Sequence, residues 1–261
     1  VRDLRWIVGF LALGLGLVGC KHGPDQRTLD GARNHYELGV LAQQNGNIPE
    51  AYRELKLSLE QDDNSADAHL AMGLLMQFSY SKPDAARQEY TRAIELRPEF
   101  TEAKVNLGTV YLQEGAYEQA IPLFREALND MAYRTPFIAE SDLGWALYKS
   151  GKVEEGVNQI QAAVTTNPGF CLGFRQLGEI ADAQHDLARS CQAYHRFQTA
   201  CPQTADAAWR VAVCEAKQGN AAASKQALEA CVKAKDNAVI VEECRAKLEQ
   251  ASGPRSPPVS R

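Results

Sequence analysis

The chain has 261 residues and a formal net charge of −5, from 28 Lys and Arg against 33 Asp and Glu. That acidic balance, with no long Lys/Arg run, gives no footing for nucleic acid or for a broad anionic membrane surface. No Gly-rich phosphate loop, HExxH or GxSxG occurs, so the chain is expected to be non-enzymatic, with no cofactor and no metal.

At the N-terminus, Arg2 and Arg5 bracket the start of an apolar, uncharged stretch from Trp6 to Val18, which ends in Leu17-Val18-Gly19-Cys20. The stretch is short for a membrane span and fits the core of a signal peptide. Val1 is expected to mark a start codon other than ATG. Leu-Val-Gly-Cys resembles a bacterial lipobox, which implies removal of residues 1–19 and lipidation of Cys20. An ordinary signal peptide with a chance cysteine, or a retained anchor, fits the same residues. Inner-membrane lipoproteins commonly carry Asp after the cysteine. Lys21 stands there instead, so the resemblance implies a lipid-anchored protein of the outer membrane, facing the periplasm. Residues 20–31 show no apolar pattern and are expected to form a tether.

From Ala32 to Ala238 one two-helix pattern recurs six times, over 32–65, 66–100, 101–136, 137–170, 171–204 and 205–238. Numbering each copy from its first residue, position eight is Gly39, Gly73, Gly108, Gly144, Gly178 and Ala212, at steps of 34, 35, 36, 34 and 34 residues. Position seven is Leu38, Met72, Leu107, Leu143, Leu177 and Val211, and Pro98, Pro168 and Pro202 close three of the copies. In the third copy, Val105 to Leu112 has helical apolar spacing and Gly115 ends that helix, while Tyr117 to Leu128 forms a second. The small residues at position eight, and Ala120 and Ala127 opposite, let the two helices approach closely. This pattern resembles the tetratricopeptide repeat. It implies an all-α, right-handed superhelix of six units, because one pair cannot bury its apolar face and neighbours must stack. Residues 239–250 read as a capping helix, and the Pro- and Ser-rich 251–261 as a disordered tail.

Six cysteines lie in the last two copies and the cap: Cys171, Cys191, Cys201, Cys214, Cys231 and Cys244. An even number in an exported chain points to disulfides. Cys171 and Cys201 fall at the two ends of one antiparallel pair, which meet. Cys191 and Cys214 lie on the packed second and first helices of consecutive copies, and the same rule joins Cys231 to Cys244. Buried free thiols are the competing reading. No CxxC spacing supports zinc. His35 and His69 both occupy position four, and first helices about 10 Å apart hold two imidazoles too far apart to share an ion comfortably. His185 and His195 flank a turn and are expected at the surface.

First helices line the concave face of such a stack, with positions two, five, nine, twelve and thirteen facing the groove. The candidate partner-binding residues are Tyr36, Leu70, Leu74, Phe78, Val105, Thr109, Leu112, Trp145 and Tyr148, an apolar stripe where many repeat grooves are charged. Some of these side chains instead fit packing against neighbouring first helices. The lipobox, the repeats, the stretch Glu89-Tyr90-Thr91-Arg92-Ala93-Ile94-Glu95-Leu96-Arg97-Pro98, and the long connection Asn129-Asp130-Met131-Ala132-Tyr133-Arg134-Thr135-Pro136 together resemble the outer-membrane pilotins of type IV pili, the PilF/PilW/Tgl group. The Cys-rich last third departs from the usual pattern and is most like the branch serving social gliding motility. The resemblance implies a partner, the outer-membrane secretin of the pilus, whose insertion and multimerisation such proteins promote. A general periplasmic scaffold that gathers cell-envelope enzymes is the alternative.

Overall fold

A computed structural model describes residues 25–252. Thirteen α-helices form among the described residues, and no strand is found there. The six pairs are α1 (Gln26–Gln44) with α2 (Ile48–Gln61), α3 (Ala66–Leu74) with α4 (Pro83–Leu96), α5 (Thr101–Gln113) with α6 (Tyr117–Leu128), α7 (Pro136–Lys149) with α8 (Val153–Thr166), α9 (Cys171–Ala183) with α10 (Leu187–Ala200), and α11 (Ala205–Lys217) with α12 (Ala221–Lys233). The cap, α13, spans Ala238–Ser252. Each helix packs on the next in sequence, so the contacts are local and the core runs the length of the stack.

The close approach inside each pair has a complementary cause that the glycine pattern alone does not show. At position 24 of five copies, and at position 25 of the second, which carries the extra residue, a large side chain fills the space left at position eight: Leu55, Tyr90, Phe124, Ile160, Tyr194 and Leu228, all buried. A Cβ on Gly108 would come within 2.8 Å of the Phe124 ring. At the α7–α8 crossing the two backbones themselves meet: a Cβ on Gly144 would come within 2.6 Å of the Gly156 carbonyl, and one on Gly156 within 2.7 Å of the Tyr148 amide.

Three features depart from the expected layout. First, α1 begins six residues before Ala32. Asp25 caps it by accepting from the Thr28 amide at 2.8 Å, so residues 26–31 are helix and not tether. Second, the 35-residue step has a structural origin in α3, which continues as a π-turn over Leu75–Ser79. The extra residue is absorbed inside the helix. The left-handed turn that ends each first helix, at Gly46, Gly115, Gly151, His185 and Gly219, falls one position later in this copy, at Ser81 with φ 53°. Third, the 36-residue step is the connection after α6. There Asp130 accepts from the Thr101 hydroxyl at 2.6 Å and the Ala132 amide at 2.9 Å. These two bonds fold the loop, and Tyr133 packs half-buried on the same core that Leu112 and Ile138 cover. The cap is slightly longer than expected, and Cys244 within it is fully buried. The proposed signal sequence and Cys20, and all of the tail beyond Ser252, lie outside the described residues. No helix among the described residues is long and apolar enough to cross a membrane.

Candidate functional site

The concave face is built by α1, α3, α5, α7, α9 and α11. On its first four helices the candidate residues sort into two groups. Tyr36, Leu70 and Leu74 are half-buried and lean on the core of the first two copies. Leu112 leans on that of the third and fourth. Phe78, carried outward on the π-turn, is 64% exposed. Its neighbour Gln77, expected in the groove, is turned inward and accepts from the buried Tyr90 hydroxyl at 2.8 Å. Trp145 and Tyr148 are half-buried, with ring centroids 5.3 Å apart. The Lys149 ammonium stands 4.8 Å from the Trp145 ring and 5.5 Å from the Tyr148 ring. A lip of two aromatics and a cation therefore borders the groove at the fourth copy.

Val105 is a correction. It is 6% exposed and packs in the core with Ala120, Ala139 and Leu143, because position five of α5 faces the next first helix, α7. Ser141, at the same position of α7, is likewise sealed in, donating to Gln176 of α9 at 2.7 Å. Position five is thus a contact between first helices in these two copies.

Thr109 donates to the Val105 carbonyl and to Asp142, each at 3.0 Å. Asp142 is a buried carboxyl whose pKa is pushed up to about 6 by its burial, against the opposing hydrogen bond from Thr109. Tyr133, from the long loop, lies near enough to feel Glu102 and Asp142. Its phenol is held protonated above the usual range mainly by burial. Asp67 forms a two-point ion pair with Arg97, and the Arg97 guanidinium stacks 4.3 Å over Phe100. That acid is therefore engaged at the groove edge.

The last two copies present a different concave surface. Arg210 reaches Asp206 at 2.9 Å, Glu179 at 2.8 Å and the Tyr194 hydroxyl at 3.2 Å. Arg175 reaches Glu179 at 3.1 Å and Asp206 at 3.8 Å. Tyr194 donates to Asp182 at 2.6 Å. The charges are mutually neutralised across the copy boundary. Behind this face the six cysteines stand as Cys171–Cys201, Cys191–Cys214 and Cys231–Cys244, with Cα separations of 6.0, 5.5 and 6.1 Å. These are the pairs that the antiparallel repeat geometry calls for.

The histidines hold structural pairs that the sequence reading missed. His35 meets Glu54 at 2.6 Å and His69 meets Glu89 at 2.7 Å. Burial opposes the charge on His69, but bonds to Glu89 and to the Asp63 carbonyl outweigh it and raise its pKa. The recurring separation of 19 or 20 residues, position four against the middle of the second helix, was the available signal. His195 meets Glu215 at 2.6 Å, close to Cys214. That trio has the outline of a metal site, but the Cys214 sulfur is bonded to Cys191 and offers no thiolate.

The tetratricopeptide repeat family profile matches residues 81–134. The type IV pilus assembly protein PilF of Pseudomonas aeruginosa strain PAO1 is 34% identical over 128 residues, which is 46% of this chain. The chain spans half the length of that curated relative. Among solved structures, PilW, described as a widely conserved type IV pilus biogenesis factor, superposes with a TM-score of 0.72 at 18% identity, covering 81% of this chain and 97% of PilW. The Pseudomonas aeruginosa PilF structure gives 0.69 at 19% identity, covering 85% of this chain and all of PilF. The chain therefore has the tetratricopeptide-repeat fold, with a repeat match over residues 81–134, sequence similarity to PilF over 128 residues and a likeness in fold to PilF and PilW.

Proposed function

We propose that this chain is a non-enzymatic assembly factor of type IV pili, a pilotin. It is anchored in the outer membrane through a lipid on Cys20, and it receives secretin monomers in the groove of its first four copies. The observation that carries the reading is the apolar stripe of Leu70, Leu74, Phe78, Leu112, Trp145 and Tyr148 on a chain related to PilF. A groove of that chemistry suits an apolar or amphipathic segment, which it shields until the segment joins the ring or the bilayer. The lipid places the solenoid on the periplasmic side of the membrane where the pore is built. The Cys-rich end adds likeness to the gliding-motility branch of these factors.

The test is the double substitution Trp145→Ala with Leu74→Ser, made in the cell that produces the chain. Helical content and export should be unchanged, and heat-resistant secretin multimers in the outer membrane should fall sharply. Hot-spot aromatics commonly carry a few kcal/mol of an interface. Undiminished multimers in a folded variant, or co-purification of cell-wall enzymes in place of secretin, would favour a general periplasmic scaffold. Separately, Cys20→Ala should abolish the lipid label and release the chain from the outer membrane.

A further inference from the structure

The convex face carries a second binding feature, unrelated to the concave stripe. Helices α8 and α10, the second helices of copies four and five, lie side by side with α9 beneath them. Between them opens a cavity of about 360 Å³. Its floor is apolar, formed by Val157, Phe174, Leu177 and Ile180. Its rim carries Gln161 on the α8 side and Arg189, Gln192 and Arg196 on the α10 side. No carboxylate lines it, in a chain with an excess of acids.

The two arginines are available. Arg189 is 71% exposed and uses its Nε to hold Asp186 at 2.6 Å, which orients the guanidinium. Arg196 is exposed and enters no ion pair among the described residues. The contrast with two other cavities of similar size is informative. The convex cavity over copies one and two, about 370 Å³, is lined by Lys56 together with Glu60 and Glu89, and Lys56 pairs with Glu60 at 3.5 Å. The concave cavity beside Trp209 sets Asp182, Asp206 and Glu243 against Arg210 and Lys217. Only at α8–α10, of these three, does the lining carry cations alone.

We infer that this convex cavity docks an extended acidic peptide segment, with apolar side chains seated on Leu177 and Val157 and two carboxylates on Arg189 and Arg196. The spacing follows from helix geometry. Arg189 and Arg196 are seven residues apart on one face of α10, roughly 10 Å along the axis. A chain in the polyproline II conformation covers about 9 Å in three residues and returns residue i+3 to the face of residue i, so the fitting motif is acidic-apolar-apolar-acidic. The volume accommodates side chains from such an extended chain and not a whole helix, whose diameter alone is about 10 Å. Arginine suits the task because its planar fork takes a carboxylate through two hydrogen bonds. The disulfides Cys171–Cys201 and Cys191–Cys214 tie α9, α10 and α11 together, so the wall that bears both arginines is preorganised.

The test uses the full chain in mild detergent and a fluorescein-labelled hexapeptide Ser-Glu-Leu-Val-Glu-Ser, followed by anisotropy. Binding should weaken with added salt and drop about tenfold or more in Arg189→Glu with Arg196→Glu, as expected for charge-assisted bonds. The Gln-for-Glu peptide should bind no better than that variant does. Trp145→Ala with Leu74→Ser should bind the peptide normally, which separates this site from the secretin groove. Both arginines are exposed, so a circular dichroism melt should be unchanged by their replacement. No saturable peptide binding, or binding indifferent to the arginine changes, overturns the inference. So does arginine-dependent binding to vesicles containing phosphatidylglycerol without binding to the peptide, which would make the site a membrane contact.

Discussion

The first four copies and the last two solve the same packing problem with different materials. In the first four, the side chain opposite position eight is Leu55, Tyr90, Phe124 or Ile160 and no cysteine is present; the fifth keeps Tyr194 there, with Phe174 and Phe197 also buried. In the sixth, the buried side chains of α11 are Ala205, Ala207, Ala208, Val211, Ala212, Cys214 and Glu215, and those of α12 are Ser224, Ala227, Leu228 and Cys231. Small side chains remove less apolar area from water, at about 25 cal/mol per Å², and the end of an open stack has a neighbour on one side only. Cys231–Cys244 ties the small-residue sixth copy to its cap, Cys191–Cys214 and the Arg210–Glu179 pair tie it to copy five, and Cys171–Cys201 closes copy five itself. The groove chemistry follows the cysteines: apolar on the first four copies, which have none, and ion-paired on the last two.

The division can be tested in order of effect. Reduction of the disulfides should have the largest consequence. Each bridge is worth about 2–4 kcal/mol, so calorimetry with reductant should resolve an early transition for copies five and six and a later one for copies one to four. Cys231→Ser with Cys244→Ser should reproduce part of that early transition. A single unshifted transition in reductant would show that the bridges do not carry the difference. Next is Arg210→Ala, which leaves Glu179 and Asp206 facing each other with less compensation. The half-buried setting suggests a loss of about 2 kcal/mol, read as a lower urea midpoint and faster amide exchange in α9 and α11. Equal slowing or quickening of exchange in α3 would contradict the regional assignment.

An effect of opposite sign is expected in the near half. The Asp142 pKa rises from 3.8 to about 6 on folding, so the native state holds the proton where the unfolded chain has released it. The carboxyl therefore lowers stability as pH climbs from about 4 to 6, and the deficit persists above pH 6, amounting to at most about 3 kcal/mol. Asp142→Asn keeps an acceptor for Thr109 and should raise the melting temperature at pH 7.5 while leaving it nearly unchanged at pH 3.5. A variant less stable at pH 7.5 would refute the sign. The smallest expected effect is Phe78→Ser, within about 0.5 kcal/mol because the ring is mostly in water. A large loss of stability would mean that Phe78 belongs to the core.

Much of the architecture was legible in the residues because the repeat is a periodic constraint. Position eight located every pair, and antiparallel geometry brought the six cysteines into the three pairs that the structure shows. Leu70, Leu74, Trp145 and Tyr148 are half-buried, a placement that fits a groove-lining residue and a helix-packing residue alike. The groove was misread at Val105, since one helical position can face either solvent or the adjacent first helix, depending on local curvature. The helical start at Gln26 was hidden because residues 26–31 lack an apolar face, and the Asp25 cap, with no pattern behind it, gives a weak signal. The π-turn was visible only as a step of 35. The cavity beneath Arg189 and Arg196 arises from the way three helices meet, which no linear spacing encodes.

The two irregular steps have a joint consequence. First helices of successive copies run parallel, so the C-terminal ends of α3, α5 and α7 share one border of the trough and their N-terminal ends share the other. The residue added to copy two thrusts Phe78 up at the first border, and the residues added after copy three fold Tyr133 down at the second. Every other step keeps to a fixed length. The two places where the ruler is stretched therefore lie at opposite ends of the first helices, Phe78 in the π-turn after α3 and Tyr133 before α7, so insertions, and not regular repeat positions, supply an aromatic at each end.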